Sequence, residues 1–503
     1  MKKAVIIGSG FAGLSAACFL AKAGLDTLVL EKQAIPGGRA RKLEADGFVF
    51  DMGPSWYWMP EVFERFFGCF GKKVSDYYHL ERLDPSYRVY WPEREMDIPA
   101  DYEALRNLFE REEAGSAVGL DRFMKEAEYK YKVGMNDLVY KPGLSLKEFM
   151  NPDLLKGIFK LDVFTSMQSH IGKFFKNPCL RQLMEFPILF LGAMPRDIPA
   201  LYSLMNYADV KLGTWYPRGG MYRVVEGMYS LAKELGVKFL FNMNVREIST
   251  GNGMAKGVVA KSPSSEQHFF EADVVMGAAD YHYLEMNTLP AESRTHSEKY
   301  WDSRVMAPSC LLFYVGLNKK LKGIRHHSLF LDTDFGEHGR EIYSTRKWPA
   351  DPLFYVCTPS VTDHSVAPPG KENLFFLIPV AAGLQGDTEV LREAYFQKIL
   401  ARFEARTGQT IREAIIHKRS YSVSDFLNDY NAFKGNAYGL ANTLRQTAFL
   451  KPSCRSNKIK NLFYTGQLTV PGPGVPPSLI SGEIGAKEAI KYLHTFSHPV
   501  KTD

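Results

Sequence analysis

The sequence predicts an α/β protein: a Rossmann-like, dinucleotide-binding parallel sheet interleaved with a mixed-sheet α+β part. Three observations predict it. A glycine-rich β-α-β unit opens the chain, two later segments return to short strands ending in glycine or alanine, and long stretches without that pattern lie between them.

Ala4-Val5-Ile6-Ile7 is a β-branched run suited to a buried parallel strand. Gly8-Ser9-Gly10-Phe11-Ala12-Gly13 follows as G-x-G-x-x-G, then a helical pattern ending near Gly24, then a second strand at Thr27–Leu30 closed by Glu31 and Lys32. Gly8 permits the tight turn, Gly10 lets backbone approach a pyrophosphate, and Gly13 lets helix and strand pack closely. Phe11 and Ala12 lie in this turn as candidate cofactor contacts, and the helical pattern that follows from Leu14 offers unpaired N–H groups and a partial positive charge suited to phosphate. Glu31 can accept hydrogen bonds from ribose hydroxyls and would repel a 2′-phosphate.

The first return is Tyr216-Pro217-Arg218-Gly219-Gly220-Met221, a helix over Val224–Leu235 stopped by Gly236, a strand at Val237–Phe241 and its continuation at Asn244–Ile248. Ser262–Gln267 reads as a polar hairpin loop. The second return is Asn461–Gly466, followed by the proline-rich Val470–Pro477 and a helix opened at Ser478 and running through Ala489.

The chain has 503 residues, 45 % apolar and 23 % charged, with 62 basic and 56 acidic side chains. These values exclude wholesale disorder and a disulfide scaffold. A mean hydropathy of −0.21 and the lack of an ~18-residue apolar run exclude a polytopic membrane protein. The +6 net charge does not suggest a nucleic-acid partner. Six cysteines form no C-x-x-C pair, so no metal is expected, and a reducing, cytoplasmic setting is. The glycines at 8, 10 and 13 argue against a signal peptide. His326-His327 lacks ligand spacing and reads as a surface loop.

After Glu31 come Pro36-Gly37-Gly38-Arg39-Ala40 and Gly47–Asp51-Met52-Gly53-Pro54-Ser55. With these segments the sequence resembles the FAD-dependent amine oxidase and carotenoid desaturase superfamily. The resemblance implies Gly38 and Arg39 beside the flavin and pyrophosphate, and Gly53, Pro54 and Ser55 along the cofactor. It further implies that the backbone of Val245 pairs with adenine, that Ala278 and Gly466 end strands at the cofactor, and that Val475 and Pro476 face the flavin. The nearest cysteine to the last region is Cys454, upstream of the Gly466 strand, so FAD is expected to be non-covalent.

Gly53–Pro60 with its Trp56-Tyr57-Trp58, Phe186–Gly192 and Gly474–Pro477 are similar to the bacterial phytoene desaturases of the CrtI type. Gln467-Leu468-Thr469 departs from that pattern. The resemblance implies an FAD-binding domain of residues 1–76, 214–289 and 456–503, and a substrate region of 77–213 and 290–455 with a helical, membrane-facing part near 154–195. It also implies desaturation of an apolar C40 polyene by hydride transfer to flavin and proton loss. Phytoene is the substrate favoured by the Trp-Tyr-Trp segment, and a later, 1-hydroxylated carotenoid desaturated at its 3,4 bond is the alternative. An amine oxidase or a non-redox lipid carrier are readings of other classes.

Oxygen or a quinone would serve as electron acceptor. Trp56, Tyr57 and Trp58 are expected in the substrate channel. Asp137, Glu148 or water are the candidates for taking the proton. Leu154–Leu183 mixes Lys156, Lys160, Lys173, Lys176 and Arg181 with aromatic and aliphatic residues, a pattern fitted to an anionic membrane surface. The expected location is therefore the cytoplasmic face of the membrane, held peripherally.

Overall fold

Strand Lys3–Ile7 pairs in parallel with Asp26–Leu30 on one side and Val274–Gly277 on the other. Lys238–Leu240 and Leu462–Tyr464 extend this into a five-stranded parallel sheet drawn from four parts of the chain. The describable residues of this computed structural model are 1–145, 148, 162 and 165–497. The strands are short and mostly apolar because helices cover one face of the sheet, while Val5, Ile7, Leu30 and Val275 on the other pack against Ile248, Ala255 and Val258 of a three-stranded sheet. The first helix, Phe11–Lys22, packs on the C-terminal helix, Val475–Ser497, and on Tyr222–Glu234.

A seven-stranded sheet forms the second layer, in the order Ile415–Tyr421, Ser309–Leu317, Glu372–Val380, Phe354–Cys357, His327–Phe330, Tyr87–Tyr90, Glu95–Ile98. Its pairings are antiparallel except His327–Phe330 with Tyr87–Tyr90. The central strands Ser309–Leu317 and Glu372–Val380 are almost entirely buried, which explains their unbroken apolar sequence.

Three expectations shift. Val237–Phe241 and Asn244–Ile248 are not one strand. Lys238–Leu240 joins the parallel sheet, whereas Asn244–Gly251 pairs with Met254–Lys261 in a separate three-stranded antiparallel sheet. Asn242, in the left-handed conformation at φ 57°, turns the chain between them. The last helix begins at Val475 rather than Ser478, with Pro476 and Pro477 in its first turn, where a missing N–H costs nothing. Residues 154–161, 163 and 164 of the basic-apolar segment, with Lys156 and Lys160, lie outside the described residues. In its described part Ile171, Phe175, Leu180 and Leu183 are core residues, while Lys173 and Lys176 are exposed. No described helix is long and apolar enough to cross a membrane.

Buried Asn461 ties the parallel sheet to the three-stranded one. Its Nδ2 donates to the carbonyls of Ala255 (2.9 Å) and Asp273 (2.8 Å), and its Oδ1 accepts from Ala255 N at 2.7 Å. Asn461→Ala strands three backbone groups and is expected to cost about 2 kcal/mol, checked by urea unfolding.

Candidate active site

The glycine turn is built by backbone approach. Gly8 has φ +104°, and a Cβ there would meet Ala278 O at 3.1 Å. A Cβ on Gly13 would lie 2.0 Å from Gly8 O, so the helix can sit this close to the turn only without a side chain. A Cβ on Gly10 would meet nothing within 4 Å, because Gly10 faces a cavity. The helix that follows carries no side-chain cap, leaving its first amides for a ligand. Glu31 stands beside the turn, buried. Its Oε2 accepts from Ser9 N (2.8 Å) and Ser9 Oγ (2.7 Å), and its Oε1 from Gln33 N (2.8 Å).

One cavity of about 840 Å³ gathers the residues that the sequence separates widely. Gly8, Gly10, Phe11, Ala12, Glu31, Lys32, Gly38, Arg39, Gly53, Pro54, Ser55, Val245, Ala278, Gly466, Val475 and Pro476 all line it. Gly13 instead packs behind it. At Gly53 a Cβ would sit 2.4 Å from Arg39 O, so only backbone fits between the two segments. Beyond this end the cavity becomes apolar, walled by Leu312, Leu329, Leu377, Met194 and Leu204 from the large sheet and the helical part. Its size is that of a small-molecule site.

Trp56 and Trp58 line the cavity, and Trp58 Nε1 donates to Thr214 Oγ1 at 2.9 Å. Tyr57 corrects the expectation. Strand-like alternation turns it into the core, stacked on Phe63 (4.5 Å) with its hydroxyl 3.0 Å from that of Tyr78. His326 and His327 are a second correction: both are buried, and His327 starts a strand of the large sheet. Glu148 is committed to its own loop, accepting from Gly143 N (2.9 Å) and Leu144 N (3.0 Å). The side chain of Asp137 lies outside the described residues.

Charge at the site is buried. The Arg39 guanidinium donates to Asn436 O (3.2 Å) and lies over the Tyr430 ring (5.2 Å). Burial lowers its pKa, against the pull of Asp280. The Asp280 carboxyl is raised by burial, despite N–H bonds from Phe433 and Tyr283. The sequence reading missed Lys451. Its ammonium is buried without a hydrogen-bond partner and pushed down to about 7 by burial, next to Gly472 in the proline-rich loop. No motif marks it, since a lone lysine reads as surface.

It also missed Cys310. This residue, not Cys454, lines the cavity, while Cys454 Sγ turns to Pro142 O. Burial raises the Cys310 thiol and keeps it protonated. All six cysteines are free.

A glycine turn, an uncapped helix, a half-buried arginine with an unpartnered Nε and an open-faced Gly10 fit a flavin nucleotide. A family model described as flavin containing amine oxidoreductase matches residues 11–490. A carotenoid 3,4-desaturase of Haloarcula japonica is 42 % identical over 97 % of this chain and 97 % of its own. The chain belongs to the flavin-containing amine oxidoreductases, among the carotenoid desaturases. A zeta-carotene-forming phytoene desaturase of Myxococcus xanthus is 31 % identical over 98 % of this chain and 95 % of its own.

Among solved structures, an oxidoreductase from Methanosarcina mazei aligns with a TM-score of 0.60 at 16 % identity, covering 96 % and 99 % of the two chains. A putrescine oxidase variant aligns with a TM-score of 0.59 at 13 % identity, covering 98 % and 99 %. These likenesses concern the fold. This desaturase-family flavoprotein is an oxidoreductase, and its interleaved α/β fold is that of the amine oxidoreductases.

Proposed function

We propose that the protein is a carotenoid desaturase that uses non-covalent FAD and works at a membrane surface. The observation that carries the reading is the 42 % identity over nearly the whole length to a carotenoid 3,4-desaturase. The cavity supports it, since its apolar end opens directly onto the glycine turn. The cofactor part would comprise 1–76, 214–289 and 456–503, with 77–213 and 290–455 holding substrate.

In this reading Gly8, Gly10, Phe11 and Ala12 bring backbone N–H groups to the pyrophosphate. Glu31 takes the ribose hydroxyls, the backbone at Val245 meets adenine, and Arg39 balances the negative charge of the cofactor. Lys32, Gly38, Gly53, Pro54, Ser55, Ala278, Gly466, Val475 and Pro476 complete the wall along the isoalloxazine and ribityl chain. The cavity holds a protonated Cys310, which supports a flavin bound without a covalent bond.

Bound FAD supplies a hydride acceptor. The chain's own contribution is to align one allylic C–H in a dry apolar channel. The aromatic faces of Trp56 and Trp58 border the charge that develops as hydride leaves. Two substrate positions compete. The Trp-Tyr-Trp segment favours phytoene, but the closer match of the Haloarcula protein (42 % against 31 %) favours a later carotenoid desaturated at its 3,4 bond.

Coexpression with enzymes that make phytoene, and separately with enzymes that make a 1-hydroxylated acyclic carotenoid, tests this. A longer-wavelength polyene in either host supports desaturation, and its identity assigns the substrate. Unchanged carotenoids in both hosts contradict it.

A further inference from the structure

Desaturation releases one proton per double bond inside a channel that is mostly apolar, so a proton acceptor must border the channel. The buried histidine pair supplies a connected set of groups there. Ser55 and Tyr355 line the cavity. Tyr355 Oη lies 3.0 Å from Ser55 Oγ and 2.6 Å from His327 Nδ1. A phenol at neutral pH carries its proton, and burial holds that of Tyr355 well above its usual range. The consistent arrangement is therefore Ser55 Oγ–H donating to Tyr355 Oη, and Tyr355 O–H donating to His327 Nδ1.

The neutral His327 ring then keeps its own proton on Nε2 and offers Nδ1 as acceptor. Burial and the neighbouring His326 hold it far below the usual histidine range, so it is neutral before turnover. Trp56 lies flat on the His327 ring, centroids 4.0 Å apart and 11° from parallel.

We propose that Tyr355, acting through His327, takes the proton that desaturation releases, with Ser55 and Trp56 positioning the pair. The proposal rests on the desaturase reading. The hydride would leave one allylic carbon with both bonding electrons, and bound oxidised flavin would supply its acceptor. The C–H bond on the neighbouring carbon then breaks, and its electron pair becomes the new π bond. Its proton goes to Tyr355 Oη as the tyrosine proton passes to His327 Nδ1. The balance is one hydride on the flavin, one proton on His327 and one new C=C.

A strong base is unnecessary, because a C–H beside an allylic cation is a strong acid. The Trp56 face stabilises the imidazolium while it lasts. His326, its ring centroid 4.5 Å from that of His327, has Nδ1 2.9 Å from Thr362 Oγ1. Thr362 is half-buried. Cys357 is the cross-strand partner of His327 and lies near both imidazoles. Its thiol, pushed up to about 12 by burial, stays protonated, which suits a relay wall rather than a metal site.

The test is single-turnover product formation by the flavin-loaded protein with carotenoid in liposomes, followed by polyene absorbance in H₂O and D₂O. Tyr355→Phe keeps the ring and loses the relay. His327→Gln keeps an acceptor for the tyrosine O–H but cannot hold the proton. Both are expected to bind flavin with an unchanged visible spectrum and to form product about 10²-fold more slowly. The solvent deuterium effect of the unsubstituted protein should vanish in Tyr355→Phe. Nitrogen-15 NMR of the flavin-loaded protein without substrate should show His327 as the Nε2–H tautomer, a readout independent of turnover.

Wild-type rates with an unchanged solvent effect in both variants, an Nδ1–H tautomer, or stoichiometric zinc in the purified protein would each overturn the relay. Absence of turnover by the unsubstituted protein would instead sink the desaturase reading, and the relay with it.

Discussion

Gly13→Ala is expected to yield a protein without flavin. The new Cβ would fall 2.0 Å from Gly8 O and 3.2 Å from the Ala278 side chain. Neither the helix nor the parallel strand can yield, since Gly8 N is itself bonded to Leu30 O at 2.8 Å. The turn must open, and with it goes the alignment of backbone amides on the pyrophosphate. Overpacking of this kind costs about 1–3 kcal/mol of stability. Gly10→Ala separates the two effects. Its Cβ meets no protein atom within 4 Å and points into the cavity. That variant should unfold at the wild-type urea midpoint and still lose flavin. Flavin absorbance per protein together with the urea midpoint reads both outcomes. Full flavin content in Gly10→Ala would contradict the placement of the pyrophosphate.

Arg39→Met is expected to lower flavin affinity by about 10²-fold, or ~2.7 kcal/mol. The guanidinium is half-buried and donates to Asn436 O, yet its buried Nε has no protein partner. A buried donor left over in the protein alone is what a cofactor-binding arginine presents. The substitution also removes the cation facing Asp280, whose carboxyl burial already raises. Its pKa in the folded variant should rise further.

A carboxyl raised by folding destabilises the native state above its folded pKa, and the penalty disappears below its unfolded pKa. The stability deficit of Arg39→Met should therefore be largest at neutral pH and shrink as pH falls into the carboxylate range. Thermal unfolding of the flavin-free protein across pH checks the sign. A deficit that grew on acidification would contradict it.

The glycine-turn end of the cavity was readable because its residues are chosen by backbone geometry. Gly8, Gly13 and Gly53 mark places where a Cβ collides, and such positions stand out in a one-dimensional string. The same local logic located the strand at Leu462–Tyr464 and the hairpin loop at Ser262–Gln267. The apolar end was not readable in the same way. Its walls come from strands distant in sequence, and Leu312 or Leu377 looks like any core residue until the sheet is assembled.

Trp56-Tyr57-Trp58 shows the limit well. All three are aromatic, and only the period-two alternation of an extended segment sends Trp56 and Trp58 into the cavity and Tyr57 away. His326-His327 failed for the opposite reason. Adjacent histidines without ligand spacing suggest a surface loop, whereas the fold buries both and the sheet pairs His327 with Cys357. Lys451 carries no sequence signal at all, because only tertiary packing removes its partners.

The proposed placement of an apolar polyene against FAD in one cavity is tested most directly by incubating the FAD-loaded protein anaerobically with phytoene, and separately with a 1-hydroxylated acyclic carotenoid, in liposomes while recording the visible spectrum. One substrate is expected to bleach the flavin band as a longer-wavelength polyene band grows in proportion. An oxidised flavin spectrum that does not change with either substrate would contradict it.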